Sequence, residues 1–202
     1  MEILRDIVQG TPEWFAAKVG IPSASMFKEV SRKPGPRGGI PKTRTTYLYK
    51  LAGELITGEP MDHYSNADME RGHEMESEAR DLYAMIKDVE VEQVGFIKNG
   101  NCGCSPDGLI GSDGMWENKD ALPHIQIERL LKGTLPAEHK AQCQGQLMVA
   151  QRQWVDFMSH CRGLPPLIIR VERDEKFIAE LRIDVGEFVD ELNALVEKIR
   201  SM

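Results

Sequence analysis

The sequence predicts a single α/β domain over residues 1–202, a small mixed sheet flanked by helices, and three observations carry that prediction. Residues 11 to 86 hold helix start and stop signals, residues 91 to 173 change to short β-branched runs set apart by glycine turns, and the last thirty residues return to helical periodicity. Helices before and after a run of strands indicate one layered α/β unit, without linker or repeat. At 202 residues and 41% hydrophobic content the chain is long enough to bury a core.

In the first helix, "TPEWFAAKVG", Thr11 takes the N-cap, Pro12 the first helical position and Gly20 the stop. Residues 31 to 44, "SRKPGPRGGIPKTR", hold five basic residues, three prolines, three glycines and no acid, and predict a mobile basic loop. A second helix follows over "TTYLYKLAGELITG", ended by Gly58, and a third from about Ser65 to Ala84, with Met75, Ala79, Leu82 and Tyr83 at helical spacing. Strands are expected at 91–97, in a hairpin around "GSDG" (111–114), at 154–160 and at 167–173, with a glutamine-rich helix at about 136–151 between them. The final helix carries Leu181, Val185, Phe188, Leu192, Leu195 and Ile199 as a stripe that reads as core packing.

Composition excludes several classes. No apolar run reaches the roughly 18 residues of a membrane span, and the N-terminus lacks the order of a signal peptide, so a cytosolic protein is expected. Cys102, Cys104, Cys143 and Cys161 form no Cys-x-x-Cys pair and read as reduced, buried thiols rather than a zinc or iron–sulfur site. Neither a Gly-x-Ser-x-Gly elbow nor a phosphate-cradling Gly-x-x-x-x-Gly-Lys-Ser/Thr loop occurs. The net charge of -7 is uneven, because residues 1 to 50 carry nine Lys/Arg against four Asp/Glu, leaving -12 for the remainder. A polyanion is steered to the N-terminal part and repelled elsewhere unless divalent cations intervene.

The stretch "CSPDGLIGSDGMWENKDA", residues 104 to 121, carries the chemistry. On a strand Glu117 and Lys119 share one face while Trp116 and Asn118 share the other. If "GSDG" closes a hairpin, Asp107 falls opposite residue 117 or 118, and two carboxylates come within reach of one ion. Two oxygen ligands with a main-chain carbonyl and waters suit Mg²⁺ or Mn²⁺, and Lys119 beside them can orient or help deprotonate a water attacking phosphorus. A polar hairpin with solvated charges fits the same spacing. Two further features favour the site: Glu76 lies four residues after Gly72 on one helical face, and Ser23, Ser25, Ser105 and Lys18 offer phosphate-binding groups.

Taken together, "W-x-x-x-K-x-G-x-x-S-A-S" (14–25), "G-x-x-x-E-x-x-A-R" (72–80), "CSPDGL" (104–109), "ENK" (117–119), "A-Q-C-Q-G-Q" (141–146) and "VERDEKF" (171–177) resemble, in order, the phage lambda exonuclease or YqaJ-type viral recombinase family, over about residues 9 to 199. The resemblance implies a restriction-endonuclease-like PD-(D/E)XK core. It also implies an Mg²⁺-dependent exonuclease, served by Mn²⁺ as well, that degrades one strand of linear double-stranded DNA from 5' to 3' and leaves 3' overhangs for recombination. A homotrimer around the DNA, a single-strand annealing protein as partner and a bacterial, phage or prophage origin are implied with it.

By position the resemblance makes Asp107, Glu117 and the carbonyl of Asn118 metal ligands, Lys119 the catalytic lysine, Glu76 a helix carboxylate of the site and Gln144 the glutamine near the attacking water. Lys18, Ser25 and Ser105 fall where the family binds the terminal 5' phosphate. The lambda enzyme has arginine at the place of Lys18, so a bidentate grip becomes a single ammonium here. Asp120 stands where cysteine often follows the family's lysine. Arg32, Lys33 and Arg37 of the basic loop are expected to clamp duplex phosphates near the site.

Overall fold

The computed structural model describes residues 1–31, 39–61 and 66–202, the side chains of 66–74 excepted. It is a mixed α/β fold with two small sheets among helices. Strands β1 (Glu2–Leu4), β2 (Phe96–Asn99) and β3 (Cys102–Cys104) form an antiparallel sheet in that order. Strands β4 (Gly108–Ile110), β5 (Gly114–Asp120), β6 (Trp154–His160) and β7 (Leu167–Glu172) form the second, in which only the β5–β6 pair is parallel. The mixed α/β class agrees with the sequence, but the strands divide over two sheets. The expected strand at 91–97 is cut short: residues before Phe96 make one isolated bridge, Glu92 to Leu109, and Gly95 passes so close to Ile7 that a Cβ would lie 2.2 Å from its carbonyl oxygen.

The helices are α1 (Pro12–Ala17), α2 (Lys42–Thr57), α3 (Asn66–Lys87), α4 (Pro123–Lys132), α5 (Lys140–Ala150) and α6 (Glu175–Arg200), with a 3-10 helix at Ala24–Glu29. Thr11 caps α1 through its hydroxyl, and Gly58 ends α2 in the left-handed region at φ 76°. Helix α2 begins three residues before "TTYLYK", so Lys42 and Arg44 belong to it rather than to the basic loop. Arg44 is 2% exposed, donates to the Val30 carbonyl and pairs with Glu191 of α6 at 2.6 Å. A cation read as loop charge is thus an internal tie between two helices.

Strand alternation sorts the second sheet into two faces. Met115, Val155 and Phe157 face the main core with Cys143 and Leu147 of α5 and Val185 and Phe188 of α6. Trp116 and Met158 face the other way, against Ala79 and Tyr83 of α3. Tyr83 donates to Asp156 at 2.7 Å, and Arg170 grips the same carboxylate with two hydrogen bonds of 2.7 and 2.9 Å, locking α3 to β6 and β7. Helix α5 lies against the 3-10 helix so closely that a Cβ on Gly145 would sit 2.4 Å from the Phe27 ring. Glycine at that place sets the distance between the two elements.

Candidate active site

The site grows out of the β4–β5 hairpin. Gly111 turns at φ 50° and sets a register in which Gly108 faces Trp116, so Asp107 falls opposite Glu117. Strand β4 starts only at Gly108, so the main chain of β5 beyond Trp116 is unpaired on that side, and the Asn118 N–H donates to Asp107 Oδ2 at 2.7 Å. The N–H and C=O of one strand residue point to the same edge, so the Asn118 carbonyl also faces the side where Asp107 stands. Upstream, the Gln9 amide donates to the carbonyls of Val94 and Pro106, both at 2.9 Å, and fixes the backbone that delivers Asp107.

Glu117 is 2% exposed, and Lys119, two residues on along the same face, places Nζ 2.6 Å from its Oε1. Enclosure pushes the Asp107 carboxyl well above its usual range, with repulsion from Glu117 and Glu76 added and Lys119 opposing. Burial works against the Lys119 ammonium, but Glu117 and Asp107 outweigh it and hold the group charged. Two enclosed carboxylates against one ammonium leave negative charge that a divalent cation would offset, and an all-oxygen donor set suits a hard ion. Among the described residues no three His, Cys, Asp or Glu side chains converge on one point. The carboxylates of Asp107 and Glu117 with the Asn118 carbonyl make an all-oxygen set that fits Mg²⁺ or Mn²⁺ completed by water.

Of the remaining candidates, Lys18, Ser25 and Ser105 line one pocket of about 180 Å³ with Asp107, Glu117 and Lys119. Lys18 lies over the Trp14 ring, its Nζ 3.4 Å from the centroid, and the Trp14 indole N–H donates to Ser105 Oγ at 2.9 Å and to the Gly95 carbonyl at 3.0 Å. Ser25 shares a 3.0 Å hydrogen bond with Ser23. Glu76 lines an adjoining pocket with Asp107 and Gln9. Arg32, Lys33 and Arg37 lie outside the described residues, and the surroundings of Gly72 are not described either.

Gln144 requires correction. Its amide donates to the Glu172 carbonyl at 2.8 Å and accepts from the Asp174 N–H at 2.9 Å, joining α5 to the start of α6 away from the cleft. The glutamines at the carboxylate are Gln142, on Glu117 Oε1, and Gln146, on Oε2. Two residues along a helix turn the side chain through about 200°, whereas four bring it back to the same face. Gln9, and Trp14, which opens the first quoted motif without being assigned a role, also line the site. Trp14 stands at i-4 from Lys18 in a short helix, a spacing that signals the stack, while nothing local announces the reach of Gln9 to residue 106. All four cysteines are free, with Cys104, Cys143 and Cys161 buried.

The family described as a YqaJ-like viral recombinase domain matches residues 13–153. Among solved structures, the alkaline exonuclease LHK-Exo from Laribacter hongkongensis is similar at a TM-score of 0.83 and 33% identity, over 95% of this chain and 97% of that one. LHK-Exo in complex with dAMP gives the same TM-score and coverage at 35% identity. A phage related exonuclease from Haemophilus somnus 129PT shares the fold, at a TM-score of 0.67 and 13% identity over 89% of this chain and 96% of that one. No curated protein matches the chain.

Proposed function

The chain belongs to the YqaJ-like viral recombinase family, and on that premise we propose that it is a metal-dependent DNA exonuclease that removes nucleotides from the 5' end of linear duplexes and leaves 3' single strands for annealing. One observation carries the reading: a lysine and serines suited to a terminal phosphate share a single pocket with two carboxylates and a lysine suited to phosphodiester hydrolysis. LHK-Exo, similar over nearly the whole chain, is an alkaline exonuclease, which supports the same activity here.

Lys18, Ser25 and Ser105 hold the terminal phosphate. Ser105 accepts from Trp14, so its own proton is directed to the phosphate, and Lys18 is kept over the indole face rather than sweeping through solvent. Asp107, Glu117 and the Asn118 carbonyl hold Mg²⁺ or Mn²⁺, which when bound supplies Lewis-acid polarisation of the scissile phosphate. Lys119 keeps its charge against the phosphoryl oxygens as negative charge builds there, and Gln142 keeps Glu117 in place for both. Glu76 adds a carboxylate at the Asp107 side, and Arg32, Lys33 and Arg37 grip the duplex. By family likeness the active form is a homotrimer around DNA that works with a single-strand annealing protein.

The test is digestion of linear duplexes ending in 5'-phosphate, 5'-hydroxyl or a hairpin, beside a circular plasmid, with Mg²⁺. The expected order is phosphate above hydroxyl, with hairpin ends and circles untouched, and Lys119→Ala slower by about 10²–10⁴-fold. Cutting of circles would make the protein an endonuclease of the same core. Binding without cleavage in any of them would make it a DNA-binding module.

A further inference from the structure

Gln146 has no part in the reading above, yet it is among the most enclosed polar side chains of the cleft. It is 1% exposed, stands one turn beyond Gln142 on α5, and donates from Nε2 to Glu117 Oε2. Its Oε1 has no hydrogen-bond partner among the described residues. A methionine of similar length would fill the space without burying an unsatisfied acceptor, so packing alone does not account for an amide here. The hydrogen bond to Glu117 does.

Counting acceptor sites shows what that hydrogen bond achieves. A carboxylate oxygen offers about two lone pairs. Those of Glu117 Oε1 are both taken, one by Lys119 and one by Gln142. Among the described residues Oε2 receives only Gln146, which leaves it a single open lone pair whose direction Gln146 fixes. We propose that Oε2 is the oxygen with which Glu117 binds a divalent cation, and that Gln146 is the positioning residue that aims it and thereby sets the cation affinity of the site. This rests on reading Asp107 and Glu117 as a cation site. Gln146 touches neither DNA nor the reacting phosphate; it acts through Glu117.

The experiment is calorimetric titration of Mn²⁺ into the full chain without DNA, for the parent, Gln146→Met and Gln146→Asn, with the thermal midpoint of each metal-free protein recorded. The expected result is Mn²⁺ affinity about 10–100-fold weaker in both variants, with the Gln146→Met midpoint at or above that of the parent. Digestion by the variants should recover as Mn²⁺ is raised, with the KM for DNA unchanged. Parent-like Mn²⁺ affinity in either folded variant overturns the role of Gln146 and leaves the cation site standing. Absence of Mn²⁺ binding by the parent overturns both.

Discussion

Ser105 accepts a hydrogen bond from the Trp14 indole N–H, which takes one lone pair of its hydroxyl and leaves its own proton for a ligand. Trp14→Phe keeps a ring under Lys18 and deletes that hydrogen bond. It should therefore lower the ratio of kcat/KM on 5'-phosphate over 5'-hydroxyl duplexes by about 2–10-fold, the worth of one net hydrogen bond, while digestion of the 5'-hydroxyl duplex stays near the parent. An unchanged ratio would remove Ser105 from the phosphate grip. Single residues also show where sequence stops being legible. Asp107, Glu117 and Lys119 can be placed because a hairpin register and strand alternation are local rules. Gln144 cannot, because three glutamines at alternate positions of a helix look alike until the strand that chooses the 142/146 face is known.

At the scale of elements, the Tyr83–Asp156–Arg170 cluster joins α3, β6 and β7 on the face opposite the cleft. The Asp156 side chain is 1% exposed and that of Arg170 45%. Burial opposes ionisation of Asp156, but Arg170 and Tyr83 prevail and hold its carboxyl below the ordinary 3.8. Arg170→Ala should cost about 2 kcal/mol, the range for hydrogen bonds to a charged group, moderated because water replaces a half-exposed guanidinium. A depressed carboxyl contributes stability above its unfolded value and loses it as pH falls through the folded one. The deficit of Arg170→Ala in urea midpoint should therefore be full at pH 7 and shrink below about pH 3.8; a deficit that does not vary with pH would show the loss to be one of packing over Trp154, whose ring centroid lies 3.5 Å from the guanidinium carbon. Element types follow from caps and periodicity, as with Thr11, Gly58 and the stripe of α6. Strands β1 and β3 are invisible in the sequence because three residues carry too little period, and they become strands only by pairing with β2. Helix α4, not among the expected elements, carries the signals that mark the other helices, Pro123 in its first turn and Gly133 in the left-handed region past its end.

For the whole molecule, charge organises approach to DNA. The excess of cations in residues 1 to 50 faces a strongly acidic remainder, so binding should be weak without divalent cation and strengthen as one is added, Ca²⁺ serving where cleavage must be avoided. Replacing Arg32, Lys33 and Arg37 by alanine should flatten the slope of log affinity against log salt by about 0.9 for each DNA phosphate that the variant no longer neutralises. A slope equal to the parent's would place these residues off the DNA path. No described helix is long and apolar enough to cross a membrane. Arg44 marks the limit of such charge counting, because sequence tallies it with the basic loop while the fold commits it to Glu191.

The close approach of Gly145 to Phe27 has a meaning beyond packing. Ser25, on the proposed grip for the DNA end, rides on the 3-10 helix, while Gln142 and Gln146, which hold the hydrolytic carboxylate, ride on α5. A hydrogen atom in place of a methyl group thus lets the 3-10 helix and α5 close on each other, so that Ser25 and the carboxylate of Glu117 line one pocket.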